Sequence, residues 1–285
     1  MKGSMIMKNI LTPKLVEKYE KYLIQEERSP ATRKQYRREI LRFLEYGAGR
    51  TLTKELIIEY KKELMDKYQP VSVNTKLAAI NGFLAFAGYG DLKVKQLKIQ
   101  RRPYCSSDRE LTKEEYTRLL YCAKNQGQEK LWLILQTICG MGIRISELPY
   151  ITAKAVRDGE ASVNLKGKNR VILMGKKLRR ILKKYMDNQG INSGPLFVTR
   201  NGNPMDRSNI WKMMKRLCRN AGVNPHKVFP HNLRHLFART FYKANKDIVK
   251  LADVLGHSNI NTTRIYIIST GKEHQRFMDA MGLVI

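Results

Sequence analysis

From about Thr12 to Tyr89 the apolar residues return at helical spacing, and only turn signals at Arg28-Ser29-Pro30, Gly47-Ala48-Gly49 and Gln69-Pro70 interrupt them. A continuous 3.6-residue period with three breaks predicts about four helices and leaves no room for a sheet. In the second of these helices Tyr36, Ile40, Phe43 and Leu44 share one face, while Lys34, Arg38 and Arg42 rise at four-residue steps on another. A merely solvated face would mix in acids to form i,i+4 pairs, and only Glu39 interrupts this one, so the basic stripe fits phosphate contact better than plain solvation. Ser72, Asn74 and Lys76 open the fourth helix; its start either enters a DNA groove or is simply capped by Ser72.

The period is lost from Leu92 to Asp108, where Pro103 follows a run of Lys and Arg that includes Arg101 and Arg102. This reads as a linker over 93–108, able to span on the order of 50 Å at ~3.3 Å per residue, so that two domains could hold opposite faces of one duplex. The expected organisation is a helical domain over 1–92, this linker, and a second domain over 109–285 with a tail from about Gly271. The second domain opens on Leu111-Thr112-Lys113-Glu114-Glu115, in which Thr112 and Glu115 have capping-box spacing. It is mostly helical, with one exception: residues 162–173 alternate about a Gly-containing turn at Gly167-Lys168-Asn169, which predicts a β-hairpin. The fold class is therefore mainly α with a small β-hairpin.

Charge narrows the partner. The formal net charge is +29, and the Lys and Arg are spread along the whole length, a field that attracts polyanions and points to nucleic acid. Cys105, Cys122, Cys139 and Cys218 form no C-x-x-C pair and have no His at zinc spacing, so neither a disulfide framework nor a metal site is indicated. No apolar run reaches the roughly 20 residues of a membrane span, and the start lacks the apolar stretch of a signal peptide, so a cytoplasmic location is expected.

Two arginines stand out by position. Arg144 follows the turn Gly140-Met141-Gly142 at the head of a predicted helix, and Arg234 lies three residues after His231 behind Pro230. Both are expected in a first helical turn, where the dipole disfavours an unpaired cation by a few tenths to about 1 kcal/mol and a bound anion reverses the sign. A guanidinium fork suits a phosphate oxygen, and His231 shares a helix face with Arg234. A metal held by His226, His231 and His235 is the weaker reading, because Arg234 would repel a cation and no acid or thiol is adjacent. Further on, Gly256 ends one helix and Asn261 can cap the next, which sets His257 in a tight turn and Tyr266 on the following helix.

Taken together, RISEL at Arg144, HNLRH at His231 and LGHSNINTTRIY from Leu255 to Tyr266 resemble the three signature boxes of the tyrosine recombinase (phage integrase) family, in the same order and with similar spacing. The resemblance covers essentially the second domain; the first is similar to the family's core-binding domain only in size, basicity and helix number. It implies a site-specific recombinase that cuts and rejoins double-stranded DNA through a 3′-phosphotyrosyl bond and a Holliday junction, with four protomers on two sites and no cofactor. Under that reading Arg144 and Arg234 grip the phosphate, His231 moves the tyrosine proton, His257 hydrogen-bonds the phosphate, and Tyr266 attacks. Glu147 supports Arg144 or merely caps its helix. The family's hairpin lysine matches Lys166, which precedes the turn glycine, with Lys168 as the alternative because the hairpin is about one residue short of the common pattern. The tail packs on its own domain or on a neighbour. A type IB topoisomerase shares the chemistry, and a non-catalytic DNA-binding regulator could share the fold; the complete Arg-Lys-His-Arg-His-Tyr set favours the recombinase over the latter.

Overall fold

The computed structural model describes residues 11–99, 110–165, 168–267 and 271–283. The chain divides into two compact units, Met1–Arg101 and Arg102–Ile285. Arg101, Arg102 and Lys166 lie outside the described residues.

Among the described residues the first unit has four α-helices, α1 (Pro13–Gln25), α2 (Pro30–Tyr46), α3 (Lys54–Lys67) and α4 (Pro70–Phe86). Three begin with a proline, whose missing N–H is no loss in a first turn and whose fixed φ already suits the helix. Thr12, Ser29 and Thr53 cap α1, α2 and α3 through their side-chain oxygens. Contrary to the sequence reading, α4 starts at Pro70 and Gln69 occupies its cap position without a side-chain bond, so Ser72 is inside the first turn. This helix forms the centre of the unit, burying Val73, Leu77, Ala79, Ile80, Phe83 and Leu84 against Ile40, Phe43, Ile57 and Tyr19.

Residues 93–97, predicted as linker, are tied to the first unit. Asn81 exchanges two hydrogen bonds with the backbone of Val94, at 2.9 and 3.1 Å, and Asn74 does the same with Leu97, at 2.9 and 2.7 Å. Lys54 and Lys61 donate to the carbonyls of Lys93 and Lys95. Asn74 therefore spends its amide on the chain's own backbone.

Lys76 also departs from the DNA-contact expectation. Only 8% of the residue is exposed, and its ammonium donates to Glu39 Oε2 at 2.6 Å while lying 4.3 Å from the Tyr68 ring centroid. Glu39, 2% exposed, also accepts from Arg38 at 2.8 Å and pairs with Arg42 at 3.5 Å. Burial pushes the Glu39 carboxyl up, but the hydrogen bonds from Lys76 and Arg38 outweigh it and hold the group below its ordinary value. The acid that breaks the basic stripe is thus an internal anchor: it orients Arg38 and Arg42, which stay about half exposed, and Lys34 is exposed as well.

The second unit has its main core between α5 (Lys113–Asn125), α6 (Glu129–Met141), α9 (Arg207–Ala221) and α10 (Pro230–Asn245), with α7 (Ala153–Asp158) and α8 (Lys176–Gln189) alongside. The capping box of α5 forms as the sequence indicates, Thr112 and Glu115 each accepting the other's backbone N–H. Strands β1 (Glu160–Leu165) and β2 (Lys168–Leu173) form one antiparallel hairpin in which Leu165 pairs with Lys168. Lys168 and Asn169, which the sequence suggested as turn residues, therefore belong to the second strand. Three short helices close the chain: α11 (Ile248–Leu255), α12 (Ile260–Ile267) and α13 (Gly271–Ala280).

Replacing Lys76 with alanine leaves a buried carboxylate short of its nearest partner. We expect a loss of about 2–4 kcal/mol of stability in urea unfolding of the full chain, against no measurable change for Lys34→Ala on the exposed face.

Candidate active site

The site is assembled in the second unit around one carboxylate. Helix α6 ends at Gly142, whose φ of +60° lets the chain reverse with the Phe237 ring packed where a Cβ would stand. Arg144 follows as the cap of a short 3₁₀ turn, Ile145–Tyr150. Glu147, 2% exposed, accepts from the Arg144 backbone N–H through Oε2 at 2.7 Å and from the Arg144 guanidinium through Oε1 at 3.0 Å. Oε2 also accepts from Arg170 at 2.8 Å and lies 4.0 Å from Arg234 Nη1. Three guanidiniums converge on one acid, and only that of Arg144 is substantially exposed, at 41%.

The position of Arg234 reverses the sequence argument about helix dipoles. It is the fifth residue of α10, beyond the first turn, and is 1% exposed. Its Nη1 donates to the Gly142 carbonyl at 2.6 Å and its Nη2 to the Leu255 carbonyl at 2.8 Å. These carbonyls belong to the C-terminal ends of α6 and α11, where the dipole is negative, so the fold stabilises this cation instead of opposing it. Arg144 likewise sits at the cap of a turn and draws its compensation from Glu147. Burial and the neighbouring Arg144 charge nonetheless lower the Arg234 pKa to about 10, which leaves it fully charged at neutral pH.

His257 follows Gly256, the left-handed cap of α11 at φ +64°. Asn259, rather than Asn261, supplies the side-chain oxygen at the head of α12, accepting from Asn261 N–H at 2.8 Å. His257 Nε2 lies 2.9 Å from Arg234 Nη2 and its Nδ1 lies 2.9 Å from the hydroxyl of buried Thr263. A guanidinium only donates, so Nε2 is the acceptor and the ring proton resides on Nδ1. Burial, followed by the charges of Arg234 and Arg144, pushes this imidazole down to about 4.

Tyr266, on α12, is 3% exposed and is surrounded by imidazoles. The ring centroids of His235, His257 and His231 lie 4.3, 5.6 and 5.8 Å from its own, and His257 stacks on it at 20°. His231 is exposed and His235 lies one turn further along the same helix. Desolvation by the surrounding protein lowers the pKa of both, with the charge of Arg234 next for His231 and that of His231 next for His235, which falls to about 4.

The sequence reading of Arg144, His231, Arg234, His257 and Tyr266 thus falls on one cluster, with Glu147 at its base. Lys168 has its backbone in β2. Two neighbours were missed. Arg170 sits opposite Val163 on the inward face of the hairpin, in phase with buried Ile172, and the cue was a charged residue at an apolar strand position. His235 carried the i,i+4 relation to His231 but was weighed only as a metal ligand. Among the described residues no group of three His, Cys, Asp or Glu has the geometry to hold a metal ion, and no helix is long and apolar enough to cross a membrane.

Residues 109–273 match the model of the phage integrase family, and residues 16–88 match that of the phage integrase N-terminal SAM-like domain. The tyrosine recombinase XerA of Thermococcus kodakarensis is 31% identical over 271 residues, covering 92% of this chain and 93% of the relative. The tyrosine recombinase XerD of Halalkalibacterium halodurans is 28% identical over 255 residues, 81% of this chain and 84% of the relative. Among solved structures, a lambda integrase dimer bound to a COC′ core site aligns with a TM-score of 0.70 at 17% identity, over 89% of this chain and 76% of that one. XerH site-specific recombinase bound to difH substrate in a pre-cleavage complex aligns with a TM-score of 0.67 at 19% identity, over 93% and 84%. The two-unit fold and the matched catalytic region together place the chain in the phage integrase family of tyrosine recombinases.

Proposed function

We propose that the protein is a site-specific recombinase that breaks and rejoins double-stranded DNA through Tyr266. The observation that carries this reading is the convergence of His231 and His257 on the Tyr266 ring, with Arg234 bonded to His257 and Arg144 held by Glu147 beside them, in a chain whose relatives are tyrosine recombinases. The Tyr266 phenol oxygen attacks the phosphorus, forming a 3′-phosphotyrosyl bond as the bond to the 5′-oxygen breaks. Three guanidiniums against the one carboxylate of Glu147 leave an excess of two positive charges, which suits the charge of a pentacovalent phosphorane. That charge supply makes the reaction independent of a metal.

Proton movements fall to the remaining groups. His231 is exposed beside the nucleophile and its lowered pKa keeps it neutral, so it can accept the phenol proton. His257 accepts from Arg234 in the DNA-free protein; donating to the phosphate requires that Nε2 gain a proton as the anion arrives. A hairpin lysine, Lys166 or Lys168, protonates the departing 5′-oxygen. Because the phosphotyrosyl bond preserves the energy of the broken linkage, attack by a 5′-hydroxyl reseals DNA without ATP. Exchange of those hydroxyls between two duplexes passes through a Holliday junction in a tetramer on two sites, acting on cytoplasmic DNA. Arg38, Arg42 and Lys34 of the first unit serve as DNA backbone contacts, and Arg101 and Arg102 add to the chain's positive charge. Met278, Met281 and Leu283, all more than 60% exposed, support docking of the tail on a neighbouring protomer.

Tyr266→Phe should bind DNA as the wild type does yet form no covalent adduct on a nicked suicide duplex in EDTA. Unchanged strand cleavage by this variant would refute the assignment. A regulator forms no adduct in either case, and a topoisomerase relaxes plasmids that lack paired sites. To separate the lysines, Lys166→Ala and Lys168→Ala can be compared on a 5′-bridging phosphorothiolate. Only the variant lacking the true general acid recovers cleavage, because that leaving group needs no proton.

The imidazole cage also sets a pH dependence of stability. His235 falls from the ordinary 6.5 to about 4 on folding, so its contribution is complete above pH 6.5 and fades as pH drops toward 4. Between pH 7.5 and 5.0, urea unfolding should show a loss from this residue on the order of 2 kcal/mol. His235→Gln should remove that part of the slope; a slope unchanged by the substitution would contradict a neutral buried imidazole.

A further inference from the structure

We infer that Arg170 is a positioning residue for strand cleavage, holding Glu147 and the turn before His257 so that Arg144 and Arg234 keep their phosphate-binding geometry. The inference rests on the reading of Arg144 and Arg234 as the groups that hold the scissile phosphate. Its basis is competition for one carboxylate. Glu147 Oε1 serves the Arg144 guanidinium, while Oε2 serves the Arg144 backbone and Arg170 and lies only 4.0 Å from Arg234 Nη1. With Arg170 in place, Arg234 Nη1 remains on the Gly142 carbonyl at 2.6 Å. Without it, Oε2 would lose its 2.8 Å donor in a buried site, and Arg234 is the nearest cation able to replace it. Closing that gap would turn the carboxylate away from Arg144 and draw Arg234 from its carbonyl.

A second set of contacts ties the same side chain to the histidine turn. Arg170 Nη1 donates to the Val254 carbonyl at 3.3 Å, next to the Leu255 carbonyl that holds Arg234. Its stem packs against Gly256, where an added Cβ would stand 2.6 Å from Arg170 Cδ. Gly256 therefore provides both the left-handed conformation that ends α11 and the space through which the hairpin arginine reaches it. Arg170 is only 14% exposed at its side chain, so it does not itself meet DNA from the surface.

The test compares adduct formation on two nicked suicide duplexes, one with an ordinary scissile phosphate and one with a methylphosphonate. The methyl group replaces a charged nonbridging oxygen, so the neutral phosphorus depends much less on well-placed guanidiniums. On the ordinary phosphate, Arg170→Ala should slow single-turnover adduct formation by about 10- to 100-fold while DNA affinity stays within about threefold, as expected when catalytic groups are misplaced by about an ångström. On the methylphosphonate its rate should approach that of the wild type on the same substrate. A purely structural defect would slow both substrates equally, and that result, or no slowing at all, overturns the inference. Arg144→Ala is the control: its recovery without recovery of Arg170→Ala rejects the role of Arg170 alone, whereas no recovery of Arg144→Ala rejects the phosphate reading and this inference with it. If Arg170→Ala does not fold, Arg170→Lys, which keeps charge and stem but cannot form the fork, carries the same comparison.

Discussion

The catalytic unit depends on a carboxylate that has almost no contact with water. Glu147 alone would be costly to bury, and so would any one of the guanidiniums around it. Together they satisfy one another, and each brings a different part of the chain: Arg144 from the turn after α6, Arg170 from the hairpin, Arg234 from α10. Removing Glu147 would leave three guanidiniums without their shared counter-charge, so the acid specifies the arrangement. It also leaves more positive charge than it neutralises, which is the property an anion site needs. The carbonyls of Gly142, Val254 and Leu255 complete the sphere by setting the negative ends of α6 and α11 against Arg234 and Arg170.

The surroundings of Tyr266 follow from that charge. Burial and the neighbouring guanidiniums lower the pKa of three histidines, and neutral imidazoles pack against a phenol ring without adding to the positive field. The hydrogen-bond direction at His257 is a consequence: Arg234 can only donate, so Nε2 must accept, and on the other side Nδ1–H donates to the Thr263 hydroxyl. A phosphate entering this site would compete with the imidazole for Arg234. The resting protein thus holds its proposed nucleophile and its proposed anion-binding groups in one cluster.

The first unit solves a related problem differently. Glu39 is as buried as Glu147, but two of its three basic partners remain about half exposed. The acid there orients a surface stripe, and Lys76 supplies the internal counter-charge. A glutamate beside the basic stripe of α2 looks like a break in a polyanion-binding face. In the folded unit it is what fixes the direction of Arg38 and Arg42.

Much of this was legible in order along the chain. Helical periodicity broken by three turn signals indicated about four helices in the first unit and alternation indicated the hairpin, because each depends on neighbours within a few residues; Arg144, His231, Arg234, His257 and Tyr266 were picked out through the resemblance of three boxes to the phage integrase family. What the sequence left open or misplaced depends on partners far along the chain. Lys76 reads as a surface cation until Glu39, on another helix, is seen beneath it. Arg234 reads as strained by its own helix until the ends of α6 and α11 supply its acceptors. Arg170 reads as an ordinary strand residue until the hairpin packs over Glu147 and Gly256. Local spacing determines which groups share a helix face or a turn; which buried charge meets which is decided only when distant elements pack, since desolvation lets an ion remain inside only where its counter-charge has also been brought.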